Sequence, residues 1–357
     1  MKTKTKNLFK GVQLRNDAGA PATIPFAPGM SVRNANGDLD AVGLGFQYTI
    51  QTTTLIRARV IEQKFYRVAP ADFMTVNSGQ GAWLDEIKTN LQYDAAGDFD
   101  AGIMGMGSNN AEVPQVEVGT APATAKIATW MYGYQYNLIE VQKALAANNW
   151  DVVEGKHSAV KRKWDLGIQK VAFLGLLRDL TGFPGLLTNS QVNIDTATIP
   201  QNISAMDPDE FSTFVSAIIA AFAENCDYTV MPNTFVIPTS DAVGLAGPVS
   251  PTFPVGPSKM EYLVKAFKEV TGDPSFKVLS LAYSNKAKND GYTASGGKDR
   301  YVLYNNNNET LSMDLPVDFN FFAPGTADNF TFRGVSAGQF TGCIVYRPKE
   351  MLYFDHT

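Results

Sequence analysis

Residues able to carry out chemistry are few in this chain of 357 residues. Its two histidines are His157, inside a long helical pattern, and His356, next to the final residue, and its two cysteines are Cys226 and Cys343. A catalytic triad needs an imidazole oriented by a third group, and a zinc site needs Cys and His ligands at short spacing. Neither pattern occurs, so we expect a solvent-exposed His157, two small buried thiols, and neither a metal nor a cofactor.

The acidic cluster of Asp94, Asp98 and Asp100 is the other candidate for chemistry. Such a cluster fits a calcium loop or a pair of catalytic carboxylates, but the glutamate that ends a helix-loop-helix calcium site is missing. No dinucleotide-binding fingerprint and no phosphate-binding loop occurs either. We interpret these acids as residues that keep a flexible loop soluble, and we predict that the protein is not an enzyme. A carboxylate-dependent hydrolase is the alternative of another class.

Composition is typical of a subunit with large interfaces and also of a large, core-rich enzyme. Apolar residues make up 45% and charged residues 18% of the chain, against a usual charged fraction of about 25%, and obligate interfaces are depleted in charge. The net charge of −5 argues against tight DNA binding by the whole chain. The sequence shows no secretory signal and no apolar run long enough to cross a bilayer, so we expect a soluble protein, intracellular when made, with no membrane contact.

Periodicity divides the chain into five segments. An irregular arm rich in Gly and Pro leads into a helical pattern at 52–68, and strand patterns at 85–93 and 123–136 enclose a glycine-rich excursion. The five segments are 1–84, the arm with its short helix; 85–135, an extended hairpin loop; 136–204, a domain with a long helix at 151–179; 205–315, an α/β domain; and 316–357, C-terminal strands.

The centre of the predicted hairpin carries apolar side chains that an isolated loop would leave in water. Ile103, Met104 and Met106 lie within a glycine-rich excursion of about 30 residues, which is too long for an ordinary turn. Exposed apolar groups of this kind favour docking on a partner. We therefore predict a subunit interface at Asp100, Ile103, Met104, Met106, Asn109 and Asn110.

The segment from Asp151 to Gly185 predicts one long helix that runs into a tight turn. Roughly 27 residues at about 1.5 Å each would span about 40 Å, and Asp151 is a suitable N-cap. An apolar stripe is expected to pack inward, at Val160, Trp164, Ile168 and Val171. The basic residues of the helix form either a solvated face or a face toward a polyanion, and they are Lys161, Arg162, Lys163 and Lys170.

Five motifs stand in an order that resembles a known family. They are Tyr132–Tyr136 (YGYQY), Lys170–Gly175 (KVAFLG), Gly182–Asn189 (GFPGLLTN), Leu315–Val317 (LPV) and Gly342–Pro348 (GCIVYRP). Together with the arm and the hairpin, they make the chain similar to tailed-phage major capsid proteins, and more narrowly to the group called the major capsid family.

The resemblance implies the Hong Kong ninety-seven-type capsid fold, an α+β fold with an N-terminal arm and an extended β-hairpin loop. The long helix would be the spine of a peripheral domain, and the hairpin would lie over a neighbouring subunit. The α/β segment would form an axial domain around five- and six-fold axes, and the C-terminal strands would return to the peripheral domain.

The function implied by the resemblance is structural. Copies of the chain would form pentamers and hexamers of an icosahedral shell that encloses double-stranded DNA, with weak, non-specific contact between the DNA and the basic residues of the helix. A portal, and scaffolding or decoration proteins as separate chains, would be further partners. The expected location is the virion capsid, assembled in the host cytoplasm. An encapsulin-type nanocompartment shell is the alternative within the same fold class.

Overall fold

A computed structural model describes residues 64–79, 83–95, 117–148, 151–250, 256–292, 297–326, 328 and 330–356. Helices and strands alternate irregularly within these ranges. The α-helices are α1 Leu138–Asn148, α2 Val152–Leu174, α3 Pro208–Asn225, α4 Thr239–Gly244, α5 Lys259–Thr271 and α6 Lys286–Asn289. The strands are β1 Thr75–Ser78, β2 Glu86–Ala95, β3 Glu117–Lys126, β4 Ala128–Asn137, β5 Asn193–Asp195, β6 Thr234–Pro238, β7 Lys277–Leu281, β8 Asp299–Tyr304, β9 Leu311–Leu315, β10 Val317–Phe321, β11 Gly325–Thr326, β12 Thr331–Phe340, β13 Cys343–Val345 and β14 Met351–His356.

The described strands form four sheets. The largest has the order β5-β14-β8-β6-β7, and a three-stranded sheet has the order β1-β9-β13. In a third sheet β12 pairs antiparallel with β4 along ten residues and with β10 on its other side, and β2 and β3 form a two-stranded hairpin. Helix and strand are thus mixed without a repeating βαβ order, which confirms the predicted α+β class.

The long helix α2 is shorter than predicted. Asp151 caps it as expected, because its carboxylate accepts from the backbone N–H groups of Val153 and Glu154 at 2.9 and 3.1 Å. The helix ends at Leu174 and not near residue 179, because Gly175 has a φ of +78°, a conformation that glycine adopts without strain. Its 23 residues span about 34 Å.

Several strand boundaries also differ from the prediction. The pattern at 123–136 belongs to two strands that meet at Ile127. Residues 64–69 have no regular structure, so the helix expected at 52–68 does not extend to its predicted end. C-terminal strands were expected within 316–357, but β12 and β14 were not individually predicted there.

Two hydrophobic clusters form the core. The first lies under α2 and includes Trp164, Phe173 and Met313. The second packs α3 and α5 against the five-stranded sheet and includes Phe222 and Phe267. Cys343 lies in the first cluster and Cys226 in the second, which confirms the prediction of two buried thiols. Burial raises the pKa of the Cys343 thiol to about 12, so it stays protonated.

Among the helices that the structure describes, none combines the length and the apolarity that a membrane crossing requires.

Candidate assembly site

The apolar stripe of α2 faces the sheet formed by β4, β12 and β10. The four predicted residues Val160, Trp164, Ile168 and Val171 are all buried. The Trp164 ring lies 5.4 Å from Trp130 of β4 and 6.1 Å from Phe340 of β12, measured between ring centroids. A Cβ atom at Gly338 of β12 would lie 2.5 Å from the Trp164 ring, so glycine at that position makes room for the indole.

His157 lies in an aromatic cluster on the same side of α2. Its ring centroid is 4.6 Å from Tyr134 of β4 and 4.6 Å from Phe321 of β10. A Cβ at Gly334 would clash with the Tyr134 ring at 2.3 Å, so this strand again leaves space for a ring. The prediction of a solvated His157 is therefore wrong, because the helix turns this residue toward the sheet.

The end of α2 is closed by two of the distant motifs. Leu176 donates its N–H to the Phe183 carbonyl at 3.0 Å, and Leu186 donates to the Ala172 carbonyl at 2.8 Å. The Cys343 N–H donates to the Pro184 carbonyl at 2.7 Å. We call this contact of residues 170–175, 182–189 and 342–348 the motif junction. It satisfies helix-terminal carbonyls that would otherwise lack partners.

A buried ion pair joins the motif junction to the five-stranded sheet. Arg300 of β8 donates to both carboxylate oxygens of Asp355 in β14, at 2.6 and 2.7 Å, and also to the Leu187 carbonyl. The Tyr353 hydroxyl donates to the Leu186 carbonyl at 2.6 Å. These bonds fix the turn that follows α2 against the sheet.

The buried carboxylate of Asp241 is occupied by structural donors. It accepts from the backbone N–H groups of Ile203 and Ser204 at 3.0 and 2.9 Å and from the Tyr301 hydroxyl at 2.9 Å. Burial raises the pKa of Tyr301, and the adjacent Asp241 carboxylate raises it further. In the described part of the chain no group of His, Cys, Asp and Glu is arranged to hold a metal ion.

The hairpin of β2 and β3 has two unlike faces. Its antiparallel register pairs Ile87 with Ala125, Thr89 with Ala123 and Leu91 with Ala121. Because alternate residues of a strand point to opposite sides, these six residues share one face. The other face is mainly polar and carries Lys88, Asn90, Gln92, Thr120 and Thr124, together with Pro122 and the exposed Val118. None of the hairpin side chains that the structure describes is fully buried: Ile87 and Leu91 on the apolar face are half-buried, whereas Lys88 and Asn90 on the polar face are exposed.

A further apolar surface lies on the outer side of the β4–β12 pair. Met131 is 64% exposed and Val335 is 43% exposed, and both point away from α2. The first turn of α1 adds the exposed side chains of Leu138 and Ile139. Exposed apolar groups that cluster in this way mark interaction sites.

Two of the basic residues of α2 lie against aromatic rings. The Lys163 Nζ donates to the Tyr132 hydroxyl at 2.7 Å and lies 4.5 Å from the centroid of its ring. The Lys170 Nζ lies 5.2 Å from the centroid of the Tyr292 ring. Both ammonium groups thus have contacts within the subunit and remain exposed.

The other two basic residues point elsewhere. The Arg162 guanidinium lies 5.5 Å from the centroid of the Phe65 ring, and Lys161 is exposed. Consecutive helical residues are rotated by about 100°, so residues 161–163 do not share one face. The structure therefore does not bring the four basic residues together into a single patch.

The predicted interface at Asp100, Ile103, Met104, Met106, Asn109 and Asn110 lies outside the described residues, as does Asp98. The apolar hairpin face beside it was not predicted. The signal was present in the alternation of apolar and polar residues at 87–92, which has the period of a half-buried strand. Gln169 binds the backbone of Tyr66 and Val68, and Gln339 binds the backbone of Leu84. No sequence pattern around either glutamine indicates these contacts.

Comparison with known proteins identifies the family of this chain. A family model described as "Major capsid protein" matches residues 100–356, which is more than half of the chain. None of the curated proteins matches the chain.

Solved structures show the same fold at low sequence identity. The capsid protein of Myoviridae phage XM1 is similar with a TM-score of 0.70 and 13% identity, over 86% of this chain and 98% of the phage chain. A capsid chain of cyanophage P-SCSP1u has a TM-score of 0.52 and 12% identity, over 86% and 94% of the two chains. A chain from the capsid of a native GTA particle has a TM-score of 0.51 and 10% identity, over 89% and 99%. By its family match and its fold, the chain belongs to the major capsid protein family.

Proposed function

We propose that this chain is the major capsid protein of a tailed bacteriophage, a structural subunit whose copies assemble into an icosahedral shell around double-stranded DNA. The family and the fold are those of structural capsid proteins rather than enzymes. The comparisons do not favour an encapsulin-type compartment over this function.

The observation that carries the proposal is the incompletely buried apolar face of the β2–β3 hairpin. A two-stranded hairpin alone in water is marginally stable at best, and Ile87 and Leu91 on the apolar face are only half-buried within the described part of the subunit. A neighbouring copy is the natural cover in a family of shell proteins, since binding to it adds the missing burial. In this proposal the hairpin, with residues 100–110 at its far end, lies over the adjacent subunit.

The α/β segment at 205–315 is the proposed axial domain, which meets its copies in pentamers and hexamers. Two observations support an interface there. Val243 in α4 and Tyr228 after α3 are both largely exposed. Tyr228 is also held at a φ of +59°, which is unusual for a bulky side chain.

Further partners follow from the family alone. We propose a portal, and scaffolding or decoration proteins as separate chains, with assembly in the host cytoplasm and the virion capsid as the final location. Closed symmetry lets one kind of contact build a finite shell.

The packaged DNA would be contacted weakly and without sequence preference. Lys161, Arg162, Lys163 and Lys170 are the proposed contacts, and the net charge of −5 prevents the shell from clamping the genome. Neutralising all four with glutamine should lower the DNA content of particles more than their yield, measured by absorbance ratio after nuclease treatment. Unchanged DNA content would refute this role.

Assembly is tested by placing a charge on either face of the hairpin. Leu91→Asp puts a carboxylate on the apolar face of the hairpin. Asn90→Asp puts the same charge on its polar face, one residue earlier in the same strand. We expect the first variant to fail to form particles in negative-stain microscopy and the second to assemble.

Both variants should keep the melting temperature of the unassembled subunit, because the hairpin contributes little to its core. A deletion variant that lacks residues 98–112 should also fold without assembling. Normal particles from both Leu91→Asp and the deletion would refute the proposed function of the hairpin.

A further inference from the structure

Two buried glutamines bind backbone in the way that a neighbouring β-strand would. We call residues 65–79 and 83–84 the anchor segment, because they form the last part of the predicted arm segment and directly precede the hairpin. Gln169 of α2 contacts its beginning and Gln339 of β12 its end, and each of the two glutamines is only 3% exposed. A buried amide is tolerated when both its donor and its acceptor are used.

Gln339 pairs with a single residue at the base of the hairpin. The Leu84 N–H donates to its Oε1 at 3.0 Å, and its Nε2 donates to the Leu84 carbonyl at 2.9 Å. Exchange of both bonds with one residue is the pattern of an antiparallel strand pair. The same Nε2 also donates to the hydroxyl of Thr129 in β4 at 3.1 Å, and this second hydrogen bond fixes the orientation of the amide.

Gln169 uses the other pattern. The Val68 N–H donates to its Oε1 at 3.0 Å, and its Nε2 donates to the Tyr66 carbonyl at 3.2 Å. A carbonyl and an N–H two residues apart are the groups that a parallel strand would bind. The same Nε2 also donates to the Tyr283 hydroxyl at 3.1 Å, which fixes the orientation of this amide.

Between the two glutamines the anchor segment is bonded into the subunit. The Tyr304 hydroxyl donates to the Phe73 carbonyl at 2.6 Å, β1 pairs in parallel with β9, and the Gly79 N–H donates to the Leu315 carbonyl at 3.0 Å. Beyond Leu84 the chain enters the exposed hairpin. Gln339 is thus a buried side chain that binds the backbone of Leu84, two residues before the hairpin begins at β2.

We propose that Gln169 and Gln339 are positioning residues for assembly, which set the direction in which the hairpin leaves the subunit. The inference rests on the proposed function of the hairpin. Strands of ten residues are about 33 Å long, so an error of about 10° at the base would displace the tip by about 6 Å. Such a displacement leaves the hairpin paired but carries its apolar face away from the neighbouring subunit.

The test compares Gln339→Leu with Gln339→Glu. Leucine removes both bonds to Leu84. Ionised glutamate keeps two acceptors but has no donor for the Leu84 carbonyl, whereas protonated glutamate restores a donor and an acceptor. Burial raises the pKa of a carboxyl above its usual value of about 4.3, so lowering the pH to about 5 regenerates the pair in the glutamate variant only.

We expect Gln339→Glu to assemble at about pH 5 and to fail at about pH 8, while Gln339→Leu fails at both. Wild-type protein and Gln191→Glu, an exposed glutamine in the turn before β5, should assemble equally at each pH. In the unassembled subunit at pH 8, hydrogen exchange at Leu84 should be about tenfold faster in either Gln339 variant, with exchange in α2 and β14 unchanged. Gln169→Leu should act in the same way at Val68.

Particles of normal yield from Gln339→Leu and Gln339→Glu at pH 8 would overturn the proposal. So would exchange that rises equally in α2, β14 and the anchor segment, since Gln339 would then support the whole fold and not the hairpin direction. Failure of wild-type protein to form particles would instead count against the proposed function, and the exchange at Leu84 would still report on the glutamine contact.

Discussion

The hairpin and the centre of the five-stranded sheet are both made of regular, hydrogen-bonded strands, but their side chains differ greatly in burial. In β6 all five residues are buried, and in β14 five of six are. In the hairpin, none of the described side chains is buried. Each central strand has a partner on both sides and a helix layer above it, whereas β2 and β3 pair, within the described residues, only with each other.

This difference separates strands that are buried within the subunit from strands that we propose to be buried only in the assembly. The sheet obtains its burial from α3, α5 and the motif junction, all of which belong to the same chain. The hairpin has an equally regular register, but its apolar face is at most half-buried among the described residues. Under the proposed function its stability would depend on concentration and on neighbours, as expected for coupled folding and binding.

Hydrogen exchange should show the largest contrast. In the unassembled subunit, backbone amides of β2 and β3 should exchange at least about a thousandfold faster than those of β6 and β14, because the hairpin opens locally and the sheet opens only on global unfolding. In particles the hairpin should become protected while the sheet changes little. Equal protection of the hairpin and the sheet amides in the free subunit would contradict the proposed difference in stability between the two regions.

The second prediction concerns the buried ion pair. Arg300→Met leaves the Asp355 carboxylate buried without its cation, which typically costs about 3–5 kcal/mol. The melting temperature of the unassembled subunit should then fall by about 10 °C. The control is Lys265→Met, which breaks an exposed pair with Glu269 at 3.9 Å and should change the melting temperature by less than about 1 °C. Similar melting temperatures for the two variants would contradict the assignment.

A smaller effect is expected where α2 packs on its sheet. Gly338→Ala places a methyl group 2.5 Å from the Trp164 ring and should cost about 1–3 kcal/mol through overpacking. Gly133→Ala on the adjacent strand is the matched control, since its added methyl would lie 3.8 Å from the nearest atom, the Gly334 carbonyl oxygen. Chemical denaturation of both variants measures the difference, and equal midpoints would show that the ring moves freely.

Elements with a strong local pattern were predictable. Asp151 marks a helix beginning that the structure retains, and Pro208 at the start of α3 and Ser258 at the cap of α5 are local signals of the same kind. Here the signal is local, because an N-cap acts on backbone groups within three residues of itself. The order of the motifs was also sufficient to indicate the family, which the match over residues 100–356 confirms.

Elements whose pattern depends on distant partners were missed. β12 contains Gly334 and Gly338, which weaken a strand pattern, and their purpose is visible only when the Tyr134 and Trp164 rings lie over them. His157 was misjudged for a related reason. Its sequence neighbours are charged, but its contacts, Tyr134 and Phe321, are far away in the chain.

By itself the sequence indicated the fold class through motifs that resemble a known family. It also determined the start of α2 and the absence of His and Cys residues clustered along the chain, since these depend on composition and on short-range periodicity. Only the tertiary structure decided that two motifs outside the helix close the end of α2, that Gln339 binds Leu84, and that the apolar face of the hairpin is at most half-buried among the described residues. These are contacts between residues separated by many positions, and burial is a property of the whole chain that no local pattern encodes.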